Sequence, residues 1–365
     1  MNPSLNISFT PFEEVPVQQW SQFVDECEEC WAYHRPELIN IHRSDSRSFA
    51  IWKENKLIGV CVLYVNNVHL GKILGSRMGP AGLALKKNVP KKIYSLIFEH
   101  LQYLAKKNHC LAIEMNLCGL ATIESSSSDY LSSHLGKLGF SVGLRHFGTD
   151  YLPSFTSIIN LSNSSEDISG DFYASVKQKC AKFSKYSYRY SCFEENIQTK
   201  NWEEFEVNHR ATFEKTGSEP FTEQMLGYLY GLIKNGLALL LNVYVDGKCC
   251  ASLFLITYKR RAFYFASGVK SEFYDSGVTA YIHQLAILEL KRKGYFFYEL
   301  GQFFPTKSLK GTKVYSIGQF KKMFGGKKQM VLSGEYIFNE SLYFLLILLP
   351  GYFRKLIRYF WKNIR

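Results

Sequence analysis

Leu239-Leu240-Leu241-Asn242-Val243-Tyr244-Val245-Asp246-Gly247-Lys248-Cys249-Cys250-Ala251-Ser252-Leu253-Phe254-Leu255-Ile256-Thr257-Tyr258 reads as two apolar, β-rich runs around an Asp-Gly pair. Asp-Gly accepts the positive φ angles of a tight two-residue hairpin, which predicts antiparallel strands over Leu239 to Val245 and Cys250 to Tyr258. Ala262 to Ala266 adds a further run to that sheet. Upstream, Phe49 to Trp52, the turn residues Glu54-Asn55-Lys56 and Leu57 to Val65 repeat the pattern.

Each hairpin precedes an amphipathic helix. Ile93, Leu96, Ile97, Leu101 and Leu104 recur at helical spacing in the first copy, and Val278, Ile282, Leu285 and Leu288 in the second. Lys106-Lys107 and Lys291-Arg292-Lys293 suit the negative ends of the helix dipoles, and Gly294 suits a left-handed cap. Apolar strands follow at Cys110 to Met115 and Tyr295 to Leu300. A helix over Tyr130 to Leu138, a cap at Gly139 and a short strand at Phe140 to Val142 complete the first copy. Strand, strand, helix, strand occurring twice predicts an α/β (α+β) chain of two similar domains, 1–150 and 151–338, with a boundary near Thr149 to Pro153. An apolar and basic tail, 339–365, follows.

With 46% hydrophobic and 16% aromatic residues in 365, the chain has material for two cores and is not disordered. A formal charge of +12 favours anionic partners: nucleic acid, phosphorylated small molecules, nucleotide-linked precursors or an acidic membrane. Nine scattered cysteines argue against a disulfide framework and for a reducing, cytoplasmic setting. Cys27 and Cys30 form a lone C-x-x-C with no second pair or spaced histidines, so no metal is expected. The start of the sequence lacks the basic and apolar regions of a signal peptide, and export is not expected.

Near the end, Ser316-Ile317-Gly318-Gln319-Phe320-Lys321-Lys322-Met323-Phe324-Gly325-Gly326 crowds aromatic, basic and glycine residues together. The glycines permit a sharp turn, with Phe320 and Phe324 packing inward. Taken alone, its lysine pair reads as a solvated hairpin entry.

The duplicated layout resembles the GNAT acyltransferase fold, and with both halves in view the chain resembles the FemABX-type transferases and related GNAT-like N-acyltransferases of the bacterial cell envelope. Tyr33-His34-Arg35-Pro36-Glu37 resembles an early His-x-Pro segment of that family, and Tyr151-Leu152-Pro153-Ser154-Phe155-Thr156 its crossover between domains. Lys177 to Arg189 is similar to its basic helix, and Ala211-Thr212-Phe213-Glu214-Lys215 to its Thr-containing helix. Tyr298-Glu299-Leu300-Gly301-Gln302 resembles an altered Asp-x-Gly-Gly strand end, and Phe320-Lys321-Lys322-Met323-Phe324-Gly325 resembles the Phe-Lys-x-x-Phe-Gly segment closely.

The resemblance implies two tandem GNAT-like domains, each with a mixed central sheet flanked by helices, and attack of an amine on a thioester or ester carbonyl. It places a cation at Lys321, beside Phe320, for the developing oxyanion or a phosphate. Apart from the resemblance, Glu299 and His283 are the candidate bases, since each sits on a core element of the second copy and could titrate usefully if buried. A CoA pyrophosphate would lie on backbone amides at Ser276, Gly277, Val278 and Thr279, although the usual leading Gln or Arg is missing there and from the counterpart Gly79-Pro80-Ala81-Gly82. Asp275 or Ser276 also reads simply as a helix cap. No bound cofactor is implied: acyl-CoA is the expected co-substrate and an amino sugar or other envelope precursor the acceptor. The alternative is aminoacyl-tRNA as donor and a peptidoglycan precursor as acceptor. A non-catalytic nucleic-acid or membrane-binding protein is the reading of another class, carried by the basic-aromatic run Lys182 to Tyr190.

Leu342 to Leu349 is too short to span a bilayer. Phe353, Ile357, Phe360 and Ile364 alternate in helical spacing with Arg354, Arg358, Lys362 and Arg365, which suits either a docked terminal helix or one lying on anionic lipid at the inner face of the membrane.

Overall fold

The computed structural model describes residues 6–76, 79, 81–117, 133–142, 154–304, 309–351 and 353. They divide into two compact units, Met1–Ser154 with Met330–Arg365, and Phe155–Gln329. The expected linker Thr149 to Pro153, most of the expected helix Tyr130 to Leu138, and the tail beyond 353 fall outside the described residues.

In the first unit, β1 (Ile7–Pro11), β2 (Phe49–Lys53), β3 (Lys56–Val62) and β6 (Gly82–Leu85) form one sheet in that order. The β2–β3 turn carries Glu54 and Asn55 at φ 48° and 62°. The single strand expected over Leu57 to Val65 is interrupted at Leu63, and β4 (Tyr64–Val68) belongs to a second sheet with β5 (Gly71–Gly75), β7 (Ala112–Asn116) and β8 (Ser141–Val142). Helix α1 (Lys91–Lys107) buries Ile93, Ile97 and Leu101 with Phe49, Ile51, Leu74, Ile113 and Met115 in one core. Those positions are the apolar stripe of the helix and alternate residues of the strands.

The second unit holds one seven-stranded sheet. Its order is β10 (Tyr188–Phe193), β11 (Ala238–Val245), β12 (Lys248–Tyr258), β13 (Arg261–Val269), β14 (Phe297–Phe303), β9 (Ser154–Asn160) and β15 (Lys327–Val331). Asp246 and Gly247 make the predicted β11–β12 turn at φ 49° and 77°. Every residue of β11 is buried, as befits a central strand covered on both faces. Helices that serve this sheet include α2 (Ala174–Phe183), α3 (Thr199–Thr216), α4 (Glu223–Lys234), α5 (Val278–Arg292) and α6 (Lys313–Lys322). Trp202 and Phe205 of α3 pack on Phe254, whereas Ile282 and Leu285 of α5 share the opposite core with Leu241, Leu253 and Leu255.

The last strand, β16 (Ser333–Ile337), pairs antiparallel with β7 and β8 and so lies in the first unit's second sheet. The repeat pattern had carried the second domain on to 338. Pairing between strands far apart in sequence leaves no local signal, which is why periodicity does not show this return. Among the described residues, no helix is long and apolar enough to cross a membrane.

Candidate functional site

β13 and β14 run parallel over Arg261 to Phe263 and Phe297 to Glu299. Beyond Glu299 the pairing of β14 with β9 is irregular until Gln302, and Gly301 at the bend has φ +81°. Residues with a Cβ rarely adopt that angle, so the glycine allows the bulge in β14, just past the point where the β13–β14 pairing ends and leaves a mouth between the two strands.

Helix α6 packs against β14 beside this mouth. The Thr312 hydroxyl accepts from the Tyr315 amide at 3.2 Å and caps its start. Phe320 packs edge-on against Phe324 at 5.1 Å and against the His283 ring at 5.6 Å, anchoring the last turn. From that turn Lys321 projects, half-buried, and its ammonium donates to the Gln302 carbonyl at 3.0 Å. The same nitrogen stands 3.0 Å from where a Cβ on Gly301 would be, so it fills space that only glycine leaves. Burial pushes the Lys321 ammonium down to about 8, and the nearby Glu299 carboxylate opposes that shift. Glu299 itself is buried on β14.

His283 lies behind the lysine, fully buried among Tyr264, Phe320 and Phe324. Burial, and then the charge of Lys321, hold it down to about 3, so the ring is neutral near pH 7. Burial raises the Tyr298 hydroxyl well above its ordinary value. It therefore stays protonated and shares a 2.6 Å hydrogen bond with His283 Nδ1, the donor being set by the tautomer of the ring.

The paired lysines diverge. Lys322 lies over the Phe303 ring at 4.9 Å and lines a cavity of about 650 Å³ together with Lys327, Lys328, Asn160, Asp171 and Tyr173. Lys328 stacks on Phe155 at 3.7 Å. Behind the cavity, Gly325 and Gly326 both have positive φ, and an added Cβ would meet Asp171 at 2.7 Å or Ser157 at 2.8 Å. Both glycines are demanded by backbone angle and close approach together. They form a helix-to-strand turn, where the sequence alone had suggested a hairpin entry.

Ser276, Gly277, Val278 and Thr279 do begin α5. The Ser276 hydroxyl accepts from the Val278 amide at 3.2 Å, and the Ala280 and Tyr281 amides both turn to the Gly277 carbonyl. Helix α2 lies so close that a Cβ on Gly277 would be 2.2 Å from the Lys179 carbonyl oxygen, and Lys182 donates to the Asp275 carbonyl at 2.6 Å. The chain itself caps and covers this helix start.

The structure thus brings Lys321, Phe320, His283 and Glu299 together and sets Ser276 to Thr279 under a separate helix. Sequence reasoning missed Tyr298, although it stands beside Glu299 in the same quoted strand end, and the cavity of Lys322, Lys327 and Lys328. The lysines were visible in the sequence; the β9 wall that makes them a cavity was not. Among the described residues no group of side chains suits a metal ion.

Residues 172–311 match the family model described as an acetyltransferase (GNAT) domain. No curated protein is a significant sequence match. Among solved structures, FemX superposes with a TM-score of 0.70 at 14% identity, covering 93% of this chain and 99% of its own. L-PGS from Bacillus licheniformis gives 0.59 at 12% identity, over 92% and 96% of the two chains. A tandem GNAT protein from the clavulanic acid biosynthesis pathway gives 0.55 at 11% identity, over 91% and 98%. At these identities the likeness is one of fold.

Proposed function

From a chain of FemABX/GNAT-like fold whose second unit carries a GNAT domain, we propose an acyltransferase that moves an acyl group from an activated carbonyl to an amine of a cell-envelope precursor. One observation carries the reading: the Lys321 ammonium held in the mouth between β13 and β14 by Gly301 and the Gln302 carbonyl. A cation fixed in a partly desolvated mouth stabilises the oxyanion that forms as the amine attacks. The new C–N bond replaces a C–S or C–O bond, the leaving thiolate or alkoxide departs, and the amine proton passes to it or to water. Glu299 is the nearby carboxylate for that proton. His283, neutral and buried, acts by packing the last turn of α6 and orienting Tyr298. The three-lysine cavity suits the phosphates of an anionic substrate.

The GNAT match favours acyl-CoA as donor, and an amino sugar is one acceptor for it. A second reading, aminoacyl-tRNA as donor, is favoured by the covered start of α5, where CoA pyrophosphate was expected, and by exposed Lys179, Lys185 and Arg189 around the covering helix. Titrating the purified protein with acetyl-CoA and, in parallel, with charged tRNA at one ionic strength separates the two donors. Lys321→Ala tests the mechanism: turnover falls at least about a hundredfold with the thermal midpoint nearly unchanged. Wild-type turnover in that variant would remove Lys321 from the mechanism.

A further inference from the structure

We propose that the helical segment 340–351 and the β4–β5 turn form one docking surface for an anionic phospholipid bilayer, independently of the acyl-transfer reading. Two segments far apart in sequence converge there. Tyr343 and Ile347 are buried with Ile73 and Ala112, fixing the inner face of the segment to the sheet. A Cβ on Gly71 would lie 2.6 Å from Ile347, so segment and turn are in direct contact. The Leu70 amide donates to the Leu346 carbonyl at 3.1 Å, and His69, at φ +54° in the turn, lies against Gly351, where an added Cβ would be 2.9 Å from its Nε2.

This anchoring leaves large apolar side chains in water. Leu70 is 71% exposed, Leu345 52%, Leu342 44% and Phe344 43%. Outward leucine and phenylalanine on a segment whose other face is already packed mark an interaction surface. Charge selects the occupant. The segment's one acidic residue is exposed Glu340 at its start; from Ser341 to Arg365 the sequence has no Asp or Glu and carries Arg354, Lys355, Arg358, Lys362 and Arg365, while Lys72 is exposed beside the turn. An apolar face continued by a wholly basic sequence matches acyl chains beneath anionic headgroups. A second copy fits less well, because a two-fold contact through this segment brings two basic sequences together.

The test is sedimentation of the full chain with phosphatidylcholine vesicles and with vesicles containing phosphatidylglycerol, for wild type, Leu70→Glu and Leu345→Glu. Both substitutions fall on exposed side chains, and unchanged thermal midpoints verify folding. The expected result is wild-type binding to the phosphatidylglycerol vesicles, weakened about tenfold in each variant and reduced by salt. Wild-type binding to neither vesicle, or binding that both variants retain in full, overturns the proposal. So does a shift from dimer to monomer in Leu345→Glu without any vesicle binding. Because Lys321→Ala leaves this surface intact, loss of turnover and loss of vesicle binding are separate results.

Discussion

The two units build the same junction and fill it differently. In each, a helix leads into a strand that pairs parallel with an earlier one over three residues, Ile73 to Gly75 with Ala112 to Glu114, and Arg261 to Phe263 with Phe297 to Glu299. Both ladders end on a glutamate, Glu114 in the first unit and Glu299 in the second. Two residues further on, the first unit has Asn116, whose amide donates to Glu114 at 3.4 Å; the second has Gly301, whose missing side chain admits Lys321. Burial pushes the Glu114 carboxyl above its ordinary value, and the Asn116 hydrogen bond only partly offsets this. Both parallel ladders therefore end on a carboxyl, and in the second unit the glycine that follows leaves room for a cation.

Gly301→Asn puts the first unit's residue into the second and should have the largest effect. Asparagine tolerates positive φ better than most residues, so the change tests displacement of Lys321 more than backbone strain. Initial rates should fall at least about a hundredfold, as when an oxyanion donor is lost, with a smaller drop in thermal midpoint. A variant as active as wild type would make the glycine a feature of the backbone alone and erase the contrast between the units.

Tyr298→Phe removes the hydroxyl hydrogen-bonded to His283 Nδ1 and leaves a fully buried ring nitrogen without that partner. Chemical denaturation should show a loss of about 1–3 kcal/mol. The first unit has Ile113 at the matching place in its ladder, so a Tyr298→Phe protein of unchanged stability would mean that an apolar residue serves equally in both.

The pH dependence sharpens the comparison further. A lysine lowered to about 8 by burial is cationic below that pH and neutral above it. If the cation stabilises the oxyanion, kcat/KM, which follows the free enzyme, falls as pH rises through about 8, by up to about tenfold per unit. Lys321→Arg keeps the charge throughout and should lose that falling limb, whatever its absolute rate. A rate that rises through the same region and levels off would instead assign Lys321 as a neutral base.

Much of this arrangement was legible because it is local. The β2–β3 and β11–β12 turns announce themselves through Glu54-Asn55 and Asp246-Gly247, and the stripes of α1 and α5 through their apolar spacing. Lys321 and Phe320 came from the resemblance, and His283 and Glu299 from their places on core elements of the second copy; nothing in their spacing brings residues 283, 299 and 321 together. Tyr298 as a hydrogen-bond partner of His283, the Lys179 carbonyl over Gly277 and the return of β16 to the first unit stayed hidden. Each depends on contact between elements distant in sequence, where residue type alone carries no signal.

Glu114→Gln should have the smallest effect, and its sign follows from burial. A carboxyl raised in the folded state favours its protonated form there, so its contribution to stability is present below the ordinary carboxylate range and lost as pH rises through the raised value. Glutamine keeps the shape without the charge. It should gain stability over wild type near neutral and alkaline pH, on the order of 0.5 kcal/mol, and show no advantage in acid. Thermal midpoints of both proteins across that range measure the difference. A loss at neutral pH would show that the Glu114 charge is compensated in the fold as fully as a paired carboxylate, and the two units would then differ less in their electrostatics than in the glycine that admits Lys321.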